Sequence, residues 1–141
     1  MIILRKYQHH DKCSLIQLWQ EAFANPAPHN EPNLVLAKKL KVDNLLFVAE
    51  KKGVIVGSCM AGYDGHRGWL YSVAISKQTR RMGIGSKLVK HTIRELNKIG
   101  CTKVNLQIVA GNEQVTAFYQ SLGFTIEKRI SMGQFIKKRE H

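Results

Sequence analysis

The segment Arg80-Arg81-Met82-Gly83-Ile84-Gly85 restricts this chain more than any other. It joins a strand-like stretch, Trp69 to Ile75, to a helix-like run from Ser86 to Ile99. Two glycines one residue apart let a backbone approach a bulky ligand closely, since neither carries a side chain. A helix start holds several free N–H groups and the positive end of the helix dipole. The junction therefore reads as a cradle for a diphosphate. Arg80 and Arg81 add mobile positive charge at its mouth.

Two familiar phosphate motifs are excluded. A Walker loop needs Lys-Ser or Lys-Thr after its last glycine, and here Gly85 is followed by Ser86-Lys87, the reverse order. A dinucleotide fingerprint needs glycine or alanine three residues after the second glycine, where this chain has Leu88. What remains, Arg-x-x-Gly-x-Gly between a strand and a helix, resembles the acetyl-CoA pyrophosphate loop of the GNAT family of N-acetyltransferases. Asn112, Phe118-Tyr119 and Gly123-Phe124 follow at the spacing seen in GNAT domains. The turn Tyr63-Asp64-Gly65-His66-Arg67-Gly68 also resembles bacterial GNAT proteins of YpeA type.

A chain of 141 residues fits one domain with one substantial core. Residues 1–70 carry nine Lys/Arg against six Asp/Glu, and residues 71–141 carry thirteen against four. Of the net +12, then, +9 lies in the half that holds the glycine-rich turn. Such a field gathers anionic ligands, coenzyme A and nucleic acid alike. The cations on the central helix (Lys87, Lys90, Arg94, Lys98) and in the tail Lys137-Lys138-Arg139 have no aromatics among them, which argues against nucleic acid. Cys13, Cys59 and Cys101 are odd in number and scattered, the pattern of small buried hydrophobes rather than of a disulfide framework or metal site. With no signal-peptide pattern at Met1 to Lys6 and no membrane-length apolar run, the chain reads as cytoplasmic, metal-free and off the membrane.

Periodicity gives the elements. Ile2 to Tyr7 reads as a strand, and Asp11 as the cap of a helix with Leu15, Leu18, Trp19, Ala22 and Phe23 on one face. Asn25 to Pro32 holds all three prolines and breaks that helix, and a weaker one follows over Asn33 to Lys41. Leu45 to Glu50, Val54 to Tyr63 and Trp69 to Ile75 form a meander through tight turns. The central helix carries Ile84, Leu88, Thr92, Leu96 and Ile99 on one stripe, with Gly100 at its C-terminal end. Val104 to Val109 is a strand parallel to its predecessor, Asn112 to Leu122 a helix, and Phe124 to Ile130 and Met132 to Ile136 a last strand pair. The order β-α-α-β-β-β-α-β-α-β-β is that of the GNAT acyl-CoA N-acyltransferase fold. That is an α/β (α+β) architecture with a mixed central sheet of about seven strands and four helices, here one domain over residues 1–141.

The resemblance implies an acetyl-CoA-dependent N-acetyltransferase acting by direct attack of an amine in a ternary complex. It implies that backbone N–H groups along Arg80, Arg81, Met82, Gly83, Ile84, Gly85 and Ser86 hold the diphosphate. Val73 and Ile75 would pair with the pantetheine arm where the fourth and fifth strands part, and an N–H near Val73 would polarise the acetyl carbonyl. Asn112 matches an asparagine that contacts the carrier, and it is equally a good helix N-cap. Tyr119 matches a phenol that protonates the leaving thiolate, although a tyrosine beside Phe118 also suits a helix core.

The glutamate base that many GNAT enzymes carry on the fourth strand has no counterpart in Trp69 to Ile75. Glu50, Asp64 and His66 remain as titratable candidates, each with a simpler reading: a surface pair with Lys51, a hairpin turn and a solvated turn. No base is assigned. The acceptor is a small-molecule amine or a peptide N-terminus, as in ribosomal-protein acetylases, and pairing into a homodimer is common in the family. A CoA-binding or nucleic-acid-associated domain without turnover is the alternative from another class.

Overall fold

The structure, a computed structural model, describes residues 1–23 and 26–137 and divides into two compact units, Met1–Val109 and Ala110–His141. The break expected at Asn25 therefore lies partly outside the described residues.

In the first unit the chain builds β1 (Ile2–Lys6), α1 (Lys12–Ala22), α2 (Pro32–Val42), β2 (Leu46–Lys51), β3 (Val54–Tyr63), β4 (Gly68–Ile75), α3 (Ile84–Lys98) and β5 (Val104–Leu106). The strands lie in chain order across one sheet. β1 to β4 are antiparallel neighbours, and β5 runs parallel to β4, as the intervening helix requires. The mixed α/β class expected from the sequence holds.

Helices cover both faces of the sheet. On one, Leu15, Leu18 and Trp19 of α1 and Leu36 of α2 pack on Leu46, Val48, Met60 and Ala74. The Trp19 indole N–H donates to Ser58 Oγ at 2.8 Å, which satisfies two buried polar groups at once. On the other face α3 buries Ile84, Leu88, Val89, Thr92 and Leu96. The Thr92 hydroxyl donates to the Leu88 carbonyl at 2.9 Å, so its burial leaves no orphan.

Several local expectations need correction. Asp11 does not cap α1 with its side chain. Its carboxylate instead takes two bonds from the Arg5 guanidinium (2.7 and 2.8 Å) and one from Gln8 N–H (2.8 Å). Phe23 and Ile99, placed on apolar stripes by their spacing, are largely exposed because each lies just past its helix, at the C-cap. Cys59 and Cys101 are buried, but Cys13, on the solvent side of α1, is exposed.

In the second unit α4 (Glu113–Ser121) begins at Asn112, whose side-chain oxygen accepts the Val115 N–H at 3.2 Å. It ends at Gly123, where the Phe124 N–H bonds back to the Tyr119 carbonyl at 3.1 Å. Residues 124–130 and 132–136, expected as a strand pair, form no strand, so the described residues hold five strands rather than about seven. The apolar alternation is present, yet Ile126, Ile130, Met132, Phe135 and Ile136 all remain exposed. A strand is defined by its ladder partner, and pattern alone does not supply one.

Candidate active site

The site starts from a mismatch of pairing along β4. On one side this strand stays registered with β3 from Tyr63↔Gly68 to Gly57↔Ile75. On the other it is paired with β5 only at Gly68, Trp69 and Leu70. From Tyr71 to Ile75, β4 thus has no strand along that edge among the described residues. The Ser76 N–H donates to the Val56 carbonyl at 2.8 Å, toward β3. Because backbone groups alternate along a strand, Ala74 and Ser72 also face β3. The N–H and C=O groups of Val73 and Ile75 then point to the open edge, available to an extended ligand that adds itself like a strand.

β4 also carries a bulge. Met60 pairs with Ser72 and Ala61 with Leu70, so Tyr71 is an extra residue. Its ring lies on Gly62, where a Cβ would come 2.8 Å from the ring edge. Tyr71 and Trp69 therefore share the α2 side of the sheet. There they line a cavity of about 550 Å³ together with Val35, Lys38, Met60 and Asp64, among others. Burial pushes the Tyr71 phenol above its ordinary pKa, and the negative fields of Asp64 and Asp43 add to that.

Beyond Ile75 the chain turns through Lys77–Thr79 and reaches the glycine-rich segment. Arg81 and Gly83 both adopt the left-handed conformation, at φ +71° and +73°. Gly83 does so without penalty, whereas Arg81 pays the steric cost that a Cβ brings there. Gly83 is the N-cap of α3 and offers no side chain as a cap. The first bond of the helix runs from Lys87 N–H to the Gly83 carbonyl at 3.1 Å, so the N–H groups of Ile84, Gly85 and Ser86 have no acceptor within α3. Arg80, Arg81 and Met82 are exposed around them. Ile84 is anchored in the core beneath, which fixes where these N–H groups point. The open β4 edge and this bare helix start suit a carrier with an extended amide-bearing arm and a diphosphate.

Asn112 and Tyr119 both belong to the second unit. Asn112 acts as the α4 cap described above. The Tyr119 ring makes edge-to-face contacts with Phe118 (5.0 Å) and Phe124 (5.5 Å), an aromatic cluster that holds it in one orientation.

None of the three candidate bases stands ready. Glu50 accepts from Arg5 at 2.7 Å, across 45 residues of sequence, rather than pairing with its neighbour Lys51. Asp64 Oδ1 accepts the N–H groups of His66 (2.8 Å) and Arg67 (2.7 Å), and these bonds hold its carboxyl below the usual range. His66 sits exposed on that same turn. Among the described residues no group of three His, Cys, Asp or Glu side chains could hold a metal ion, and no helix is long and apolar enough to cross a membrane.

Comparison with known proteins agrees with this geometry. Residues 13–124 match the Acetyltransferase (GNAT) family. An acetyltransferase of Sodalis glossinidius (strain morsitans) is 34% identical over 128 residues, covering 90% of this chain and 89% of that protein. The ribosomal-protein-S18-alanine N-acetyltransferase from Escherichia coli superposes with a TM-score of 0.77 at 25% identity, covering 89% of this chain and 78% of that one. The aminoglycoside N-acetyltransferase AAC(6')-Iy, in complex with CoA, superposes with a TM-score of 0.79 over 96% of this chain and 95% of that one. At 16% identity the last likeness speaks for the fold alone. The chain belongs to the acetyltransferase (GNAT) family. Its class is that of acetyl-CoA-dependent N-acetyltransferases.

Proposed function

We propose that this chain, acting as one catalytic domain over residues 1–141, acetylates a primary amine by direct attack in a ternary complex. The observation that carries the reading is the coincidence of two sets of backbone donors, at the β4 edge left without a ladder partner among the described residues and at the start of α3, where Gly83 supplies no side-chain cap.

Acetyl-CoA supplies an activated carbonyl on a thiolate leaving group. The N–H groups of Ile84, Gly85 and Ser86, with the backbone of Arg81 to Gly83, hold the diphosphate. Arg80 and Arg81 draw it in by charge, and Met82 flanks it. Val73 and Ile75 pair with the pantetheine arm, and the Val73 N–H stabilises charge on the acetyl oxygen as the amine adds. A C–N bond forms and the C–S bond breaks; the amine loses a proton to water and the thiolate takes one from the Tyr119 phenol. Water is taken as the relay, supported by Glu50 accepting from Arg5 and by Asp64 holding its own turn through Oδ1. Asn112 touches the carrier with the part of its amide that the cap leaves over.

Two kinds of acceptor fit the reading, a small amine and the N-terminus of a protein. The first is the leading one, and the likeness to the S18-alanine enzyme supports the second as the alternative. Cytoplasmic residence is part of the reading, supported by the buried Cys59 and Cys101, which remain unbridged thiols. So is pairing of two copies, to be read by sedimentation. The test of the whole is calorimetry with acetyl-CoA followed by release of free CoA on adding amine. Micromolar binding with amine-dependent release is expected, and absence of binding overturns it.

A further inference from the structure

The cavity between α2 and the β3–β4 face has a composition at odds with the rest of the chain. Over the whole sequence cations outnumber carboxylates 22 to 10. Here Lys38 and Lys39 meet Asp43 and Asp64, an even balance. One of those lysines is neutralised, since Lys39 Nζ lies 2.7 Å from Asp43 and also donates to the Ala61 carbonyl. Asp64 spends only Oδ1 on its turn.

The floor is aromatic. The Tyr71 ring lies against Gly62, and Trp69 stands two residues before it on the same side. Tyr71 is nevertheless 61% exposed, so much of the residue is open to a ligand. It is also the bulge residue with which the open edge of β4 begins, so whatever rests on it lies next to the place assigned to the thioester. About 550 Å³ accommodates a compact molecule rather than a folded partner. Aromatic faces backed by carboxylates attract ammonium groups, and flat apolar bodies gain most from stacking on them.

We propose that this cavity selects the acceptor, a small amine with a flat apolar body, and that Trp69 and Tyr71 are the residues that determine this specificity. The proposal rests on the acetyltransferase reading above and chooses the small-amine acceptor within it. Asp43 is matched by Lys39, so it is the negative field of Asp64 at the Tyr71 phenol that is in keeping with a cation beside it.

The test uses the full chain with saturating acetyl-CoA and three probes: phenethylamine, butylamine and an alanine-headed hexapeptide. Acetyl-CoA affinity, measured first by calorimetry, reports on the acetyltransferase reading by itself. With binding present, kcat/KM for phenethylamine should exceed that for butylamine by about tenfold or more, and that for the peptide by a larger factor. Trp69→Ala and Tyr71→Ala should bring phenethylamine down to the level of butylamine and leave acetyl-CoA affinity unchanged. Equal rates, a preference for butylamine or the peptide, or no turnover of phenethylamine overturns the proposal, and these comparisons need only the unmodified protein.

Discussion

Gly57 of β3 lies against Ile75 of β4, its register partner: a Cβ added to the glycine would sit 3.0 Å from Ile75 Cδ1 and 3.3 Å from Ile84 Cγ2. One missing side chain thus lets the last residue of β4 and the first of α3 close over the same spot. Gly57→Val should overpack that point and cost about 1–3 kcal/mol of stability in urea denaturation. The same push falls on both proposed ligand-holding segments, so acetyl-CoA affinity should fall with it. An unchanged midpoint and affinity would show that the two isoleucines yield freely.

At Gly83 the constraint is different, because an added Cβ meets nothing within 4 Å and only the left-handed backbone opposes it. Gly83→Ala should therefore cost about 1–2 kcal/mol from backbone strain and leave acetyl-CoA binding measurable. Gly83→Glu carries the same strain but sets a carboxylate against the diphosphate, and calorimetry should find no binding. Equal affinities in the two variants would remove the diphosphate from this turn.

The Arg5–Asp11–Glu50 cluster predicts a pH dependence. The Arg5 hydrogen bonds hold the Asp11 carboxyl below its ordinary pKa, against the opposing effect of burial. A carboxyl depressed in the folded state adds stability above its unfolded pKa, about 3.9, and loses that contribution as pH falls through the lower folded value. Asp11 is only 3% exposed, so Asp11→Asn at neutral pH breaks a buried pair and should cost about 3 kcal/mol or more. Urea titrations of both proteins should converge as pH drops below about 3.9. A gap that persists undiminished at pH 2 would mean that charge is not what holds this corner.

Tyr119→Phe keeps the ring among Phe118 and Phe124 and removes only the hydroxyl. As the proposed acid it should lower kcat by about 10²–10⁴ with acetyl-CoA affinity nearly unchanged. Acceptors whose turnover is limited by thiolate departure should show the largest loss. Unaltered kcat would take the phenol out of the chemistry.

Where the sequence was readable, the signal was local. The stripe Ile84, Leu88, Thr92, Leu96 is a period that α3 alone sets, and the Lys52-Gly53 turn is fixed by two residues at positive φ. Legibility stopped where a distant partner decides. Arg5 holds both Asp11 and Glu50, so neither acidic residue does what its neighbours suggest. Val104 to Val109 looks uniform, yet pairing ends at Leu106, and the described residues after Phe124 carry strand chemistry but take no strand conformation. The glycine-rich turn stood out from its residues, but the cavity beside Trp69 did not, because it is assembled from α2, β3 and β4 together.

Tyr71 also settles which way β4 looks. Before it, Gly68 faces Cys101 and Leu96 beneath α3; after it, Ala74, an even number of residues on, belongs to the opposite layer with Trp19. The inserted residue works as a half-turn in the ribbon. Deleting it would restore plain alternation with Leu70 and Ser72 opposite Ala61 and Met60, so both flanks would keep their layers and only the ring over Gly62 would be lost. A strand shortened by one residue here would keep both of its ends in place and lose only the side chain that the insertion displays.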